Sequence, residues 1–172
     1  MNQATLPRLS ADASVFRFVK RIKDHFPPGD EKPLPLAFRP TKADYDDAHA
    51  RGIAPMLSVW DVALTAVAEA HERLPLAAEE TFPQDAHERL PPPEPTYTPL
   101  RLGVGSVEAI EVPGLEQPLT VHSDPVVDDK PGAEGHAGIA GLAPPEGATK
   151  ERKRVFKALW ACLPPLCEPM GD

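Results

Sequence analysis

Cysteine is scarce in this sequence, and long apolar runs are missing. Cys162 and Cys167 are the only thiols, which excludes a disulfide framework and favours a reducing compartment. No stretch approaches the roughly 18 consecutive apolar residues of a membrane span. The opening MNQATLPRLSADASVFRF also lacks the apolar core of a signal peptide. A cytoplasmic chain that does not enter a membrane is therefore expected. Positive charge is also in short supply: 18 Lys and Arg face 26 Asp and Glu, for a net charge of −8. Such a chain is repelled by nucleic acid unless a basic patch is segregated from the rest. Specific catalytic signatures are missing as well. Gly103-Val104-Gly105-Ser106 leads from strand to helix, but it lacks the lysine of a phosphate loop and the Rossmann spacing. A tight strand-to-helix turn explains those glycines. No Ser-His-Asp pattern stands out in the linear order.

Proline is what the sequence has in excess. There are 23 in 172 residues, against a usual share of about 5%. They cluster, and so punctuate the chain. Residues 1–13 are polar and small and read as a flexible tail. Strands are expected at 15–22, 34–38, 56–60, 100–105, 119–122 and 136–142. The second of these is an edge strand, because Pro35 cannot donate to a ladder. A helix is expected over 41–52, opened by Thr41 with Asp44 three residues on and closed by Gly52. A longer helix over 62–74 takes Asp61 as its cap and puts Leu64, Val67, Ala68 and His71 on one face. Ser106 caps a short helix over 107–110. The last helix, 147–163, carries a stripe of Val155, Leu159 and Cys162, with Phe156 and Leu163 beside it. Trp60, Trp160 and the phenylalanines 16, 18, 38 and 156 read as core. The pattern predicts one α+β domain over 14–172. Its sheet has four to six mainly antiparallel strands, and the two longer helices cover it.

Residues 76–99 depart from this pattern. LAAEETFPQDAHERLPPPEPTYTP holds six prolines and five acids against the single Arg89, the composition of an extended loop or linker. Its acids Glu79, Glu80, Asp85 and Glu88 are candidate contacts for a basic protein partner. It also repeats AHERLP, present at 70–75 and again at 86–91, a local duplication or, in the plainer reading, an alanine-rich coincidence or a recent insertion.

The blocks VFRFVKRI, LAFRPTKAD, LSVWD, LGVGSVEAI and HSDPVVDDKPGAEGHAGI follow one another in an order that resembles a group of small uncharacterised bacterial proteins. The residues that carry the likeness are Phe38, Pro40, Thr41 and Asp44; Leu57, Ser58 and Val59; Asp124 and Pro125; His136 and Ala137. About half the chain is covered, in short pieces. The resemblance implies a bacterial source and a compact α+β domain. It implies no reaction.

Two clusters invite chemistry. His122 and Asp124 lie two apart on a strand, so they share a face. His136 opens the next strand, and antiparallel pairing can bring it to His122. That makes His122, Asp124 and His136 candidates for an acid–base or metal-dependent hydrolase, although the spacing matches no metal-ligand motif and no metal or cofactor is expected. The plainer reading is a solvated turn, with His136 ordering the loop by a bond to a carbonyl or to Asp124. The second cluster is basic: Lys150, Arg152, Lys153, Arg154 and Lys157, opposed only by Glu151. It suits an acidic protein surface or, less readily, nucleic acid; a solvated helix face is the plainer reading. The function expected from all this is protein binding without catalysis, of an immunity or antitoxin kind. Hydrolysis is the alternative.

Overall fold

In a computed structural model, residues 6–74 and 97–170 are described. Six strands form one antiparallel sheet: β1 Ser14–Lys20, β2 Met56–Asp61, β3 Tyr97–Gly103, β4 Thr120–Ser123, β5 His136–Ala140 and β6 Glu168–Pro169. Their order across the sheet is β4-β5-β2-β1-β3-β6. Four α-helices accompany them among the described residues: α1 Lys42–Arg51, α2 Val67–His71, α3 Val104–Glu108 and α4 Lys150–Ala161. The architecture is α+β.

Alternation along the strands gives the sheet two different faces. Val15, Val19, Leu57, Val59, Leu100, Leu102, Val121 and Ile139 point to one side and build the main core. Phe156, Leu159 and Trp160 of α4, followed by Leu163, close that side. Trp160 Nε1 donates to the Leu142 carbonyl at 2.9 Å, so the buried indole keeps its hydrogen bond. Truncating the fully buried Leu159 to Ala removes the centre of this contact, at a cost of about 2–5 kcal/mol. The other face carries Phe16, Phe18 and Trp60, packed against Ala70 of α2 in a smaller cluster.

Local chemistry explains the helix that was read correctly. The Thr41 amide donates to Asp44 Oδ2 at 2.6 Å, and Gly52 takes φ +66° at the C-terminus of α1. It also explains the departures. Pro35–Phe38 is a 3-10 turn, not a strand. Pro35 has a fixed φ and no N–H, which suits the first position of a helical turn. The helix expected over 62–74 is only the five residues of α2. Asp61 Oδ1 accepts from the Ala63 amide at 2.9 Å, and the Thr65 hydroxyl donates to the Gly132 carbonyl at 2.8 Å. Side chains that bond the backbone in this way compete with a helix. Leu64, expected on the buried face, is 48% exposed. α3 begins at Val104 behind Gly103, so Ser106 lies inside it and caps nothing. On α4 the buried stripe runs through Phe156, Leu159 and Trp160, with Val155 and Cys162 only partly covered. Of residues 1–13, expected as a flexible tail, the described part is tied down: Pro7–Leu9 lie along β4, and the Ala11 and Ala13 carbonyls accept from the first amides of α3. The Leu9 amide donates to Val121 O at 2.9 Å, and Leu9 and Ala13 pack on the core.

Candidate active site

The second face of the sheet brings unlike residues together in the middle strands. Trp60 of β2 stands opposite His136 of β5, and Ser58 stands opposite Gly138. Ser58 and His136 therefore share a face and lie diagonally across a strand pair, within reach of each other. The Ser58 Oγ to His136 Nε2 distance is 2.7 Å. His136 Nδ1 lies 2.8 Å from the Asp124 main-chain carbonyl. A carbonyl only accepts, so Nδ1 carries the proton. In the neutral ring Nε2 is then the acceptor, and it takes the Ser58 hydroxyl hydrogen. Trp60 meets the His136 ring edge-to-face at 5.0 Å, which fixes the ring plane from the side.

The loop that supplies Asp124 is itself held. The Asp124 amide donates to the His136 carbonyl at 3.0 Å. Its carboxylate is buried and receives both Arg51 guanidinium nitrogens, at 2.5 and 2.9 Å. That bidentate bond keeps the Asp124 carboxyl below the usual carboxylate range and raises Arg51. The carboxylate lies 3.8 Å from His136 Nδ1. Further along, Arg73 makes a bidentate pair with Asp128 at 2.7 and 2.8 Å, which lowers Asp128 to about 2. Behind the serine, Arg17 donates to the Ser58 carbonyl at 2.9 Å. β1 and β2 pair only at Val15–Asp61 and Phe16–Trp60, and Arg17 serves the strand beyond that point.

Ser58, His136, Asp124 and Arg51 line a cleft of about 490 Å³ between α1 and the loop after β4. That volume lies within the range of small-molecule sites. Gly138 forms part of its floor. A Cβ there would stand 2.7 Å from the Met56 Cβ, so the position admits no side chain and the approach to Ser58 stays open. A larger cleft of about 570 Å³ lies between α1 and α4, lined by Tyr45, His49, Pro144, Arg152 and Phe156. Its Tyr45 hydroxyl donates to the Pro144 carbonyl at 3.3 Å. The Ser58–His136 pair faces the smaller cleft.

The sequence-based candidates divide. Asp124 and His136 come together. His122 does not join them: its Nδ1 faces the Leu6 carbonyl at 3.1 Å and its Nε2 the Thr120 hydroxyl at 2.8 Å. No cluster of three or more His, Cys, Asp or Glu suited to a metal occurs among the described residues. Lys150, Arg152, Lys153, Arg154 and Lys157 are all exposed on α4, and Arg152 pairs with Glu116 at 3.1 Å. Glu79, Glu80, Asp85, Glu88 and the second AHERLP copy lie outside the described residues. Cys162 and Cys167 are unpaired, and burial pushes the Cys167 thiol up to about 12. No helix among the described residues is long and apolar enough to cross a membrane.

Sequence reasoning missed Ser58, Arg51 and Arg17. Ser58 had one weak signal, a hydroxyl between Met56 and Trp60 on the same face of an otherwise apolar strand. No family model, curated protein or solved structure matches the chain.

Proposed function

We propose that the chain is a hydrolase of small acyl compounds, with Ser58 as nucleophile and His136 as general base. The carrying observation is the 2.7 Å contact between Ser58 Oγ and His136 Nε2, with Nδ1 held by the Asp124 carbonyl. A hydroxyl, a base in the correct tautomer and a group that orients the base are the parts nucleophilic catalysis needs. Ser58 Oγ attacks the substrate carbonyl carbon while its proton passes to Nε2. The leaving group departs with that proton, and the acyl group stays on Ser58. Water then attacks the acyl carbon and gives a proton to Nε2, and Ser58 regains its hydrogen as the acid is released. The Nδ1 proton stays hydrogen-bonded to the Asp124 carbonyl throughout, so the ring keeps its orientation between these steps. General-base assistance of this kind contributes roughly 10²–10⁴-fold. The reading retains Asp124 and His136 from the sequence-based candidates and replaces His122 by Ser58. Two unpaired thiols fit a reducing bacterial cytoplasm.

The test is labelling with a fluorophosphonate, read by mass spectrometry, on the native chain and on Ser58→Ala and His136→Ala. Labelling of Ser58 that needs His136 supports the proposal. A folded protein that takes no label at Ser58 sinks it.

A second reading, protein binding, draws on α4. Its N-terminal half carries Lys150, Arg152, Lys153 and Arg154, where the helix dipole disfavours cations. Exposed cations at this end of the helix, of which Arg152 also pairs with Glu116, suit an acidic partner surface. A stoichiometric partner retained at low salt by the native chain, and lost on Lys153→Glu with Arg154→Glu, supports it; capture that ignores both changes removes it.

A further inference from the structure

We infer that the Ser58 cleft selects uncharged carboxylic esters or thioesters with an apolar acyl chain and turns anionic ones away. This rests on the hydrolase reading above. The first observation is the charge facing the cleft. Asp44, Asp47 and Asp124 line it against the single Arg51. Arg51 is already engaged by Asp124 and, at 3.1 Å, by Asp47. An incoming carboxylate or phosphate thus meets negative charge and a guanidinium already committed twice. Like-charge repulsion in a partly enclosed cleft is screened far less than on an open surface.

The second observation is the rim. Val126 is 36% exposed and Val127 100% exposed, and both line the same cleft beside Ile53 and Met56. Two adjacent valines at the mouth of the cleft give an apolar acyl chain a surface against which to leave water. The loop that presents it is pinned on both sides, by Arg51 on Asp124 and by Arg73 on Asp128. The rim is therefore a fixed surface. Each methylene that a substrate buries against it raises kcat/KM by about fourfold, the transfer free energy of one methylene converted to a rate ratio.

The experiment measures kcat/KM of the full chain for p-nitrophenyl acetate, butyrate and hexanoate, and for the monoanionic p-nitrophenyl hemisuccinate. Ser58 labelling is followed in parallel. The expected result is a rise of roughly fifteenfold from acetate to butyrate, two methylenes, with hemisuccinate at least about tenfold below butyrate. Val127→Asp flattens the chain-length series, and Asp47→Asn narrows the gap to hemisuccinate. A labelled Ser58 with a flat series, or with hemisuccinate as good as butyrate, overturns the substrate class and leaves the nucleophile standing. No label and no Ser58-dependent hydrolysis overturns both.

Discussion

His122 and His136 sit on neighbouring strands, on the same face of the sheet, and are wired in the same way. Each has Nδ1 against a main-chain carbonyl, of Leu6 or of Asp124, and Nε2 against a hydroxyl, of Thr120 or of Ser58. They differ in what lies beyond the hydroxyl. His122 is 7% exposed, and neither it nor Thr120 lines the cleft, so its hydrogen bonds end in protein. His136 and Ser58 open onto a cleft with room for a ligand. The hydrogen-bond pattern alone does not make a catalytic histidine. Access to a reacting atom does, and access is a property of the neighbouring loop and of Gly138.

The contrast can be broken in several places. The largest effect is expected at the site itself: Ser58→Ala or His136→Ala lowers ester hydrolysis by at least about 100-fold. Retention of more than a tenth of the rate by the serine variant would falsify the assignment. Next comes His122→Ala. It opens a buried cavity and strands the Leu6 carbonyl and the Thr120 hydroxyl, at a cost of about 2–3 kcal/mol in denaturant unfolding. Ser58 labelling per folded molecule is untouched. A reversed outcome, with activity lost and stability kept, exchanges the roles of the two histidines.

Arg51→Ala leaves the buried Asp124 carboxylate without its bidentate partner. The cost is about 2 kcal/mol, below the 3–5 of a fully buried pair, because Arg51 is 36% exposed. The sign with pH follows from the lowered Asp124 pKa. The pair stabilises fully above the unfolded carboxyl value of about 3.9, and that stability is lost as pH falls through the folded value. The difference in unfolding midpoint between native chain and variant is therefore complete above about pH 4 and shrinks below it. A difference that stays constant down to pH 2 contradicts the linkage. The smallest effect is at α4, where Lys153→Glu removes a cation that the fold does not use. A gain of about 0.5 kcal/mol is expected from the helix dipole, read as a rise in the unfolding midpoint; a loss would mean that Lys153 supports the structure.

Much of this fold was legible in the sequence, and the misses share a cause. β1, β2, β4 and β5 have alternating or continuous β-formers, α1 has a local cap and α4 an apolar stripe, so short-range rules found them. Asp61 was expected to cap the helix over 62–74, but its carboxylate bonds Ala63 in a turn and α2 starts only at Val67, behind Ala66. Leu64 then faces water, because the Thr65 bond to Gly132, far off in sequence, decides where the chain goes. In the site, His136 and Asp124 were legible because they flank one loop, twelve residues apart. Ser58 lies 78 residues from its histidine, and no local pattern reports such a pair.

By itself, then, the sequence determined the class: an α+β chain of net charge −8 with two thiols, too few for a disulfide scaffold. It also determined the alternation that sends Val15, Leu57 and Ile139 to one face and Phe16, Ser58 and His136 to the other, because side-chain period is a local property of a strand. The register of β2 against β5 was decided only in three dimensions. It sets Ser58 opposite Gly138 and Trp60 opposite His136, and a slip of one residue would send Ser58 and Trp60 to the other face. Register is fixed by packing across the whole sheet, so the meeting of a serine with a histidine is a tertiary fact.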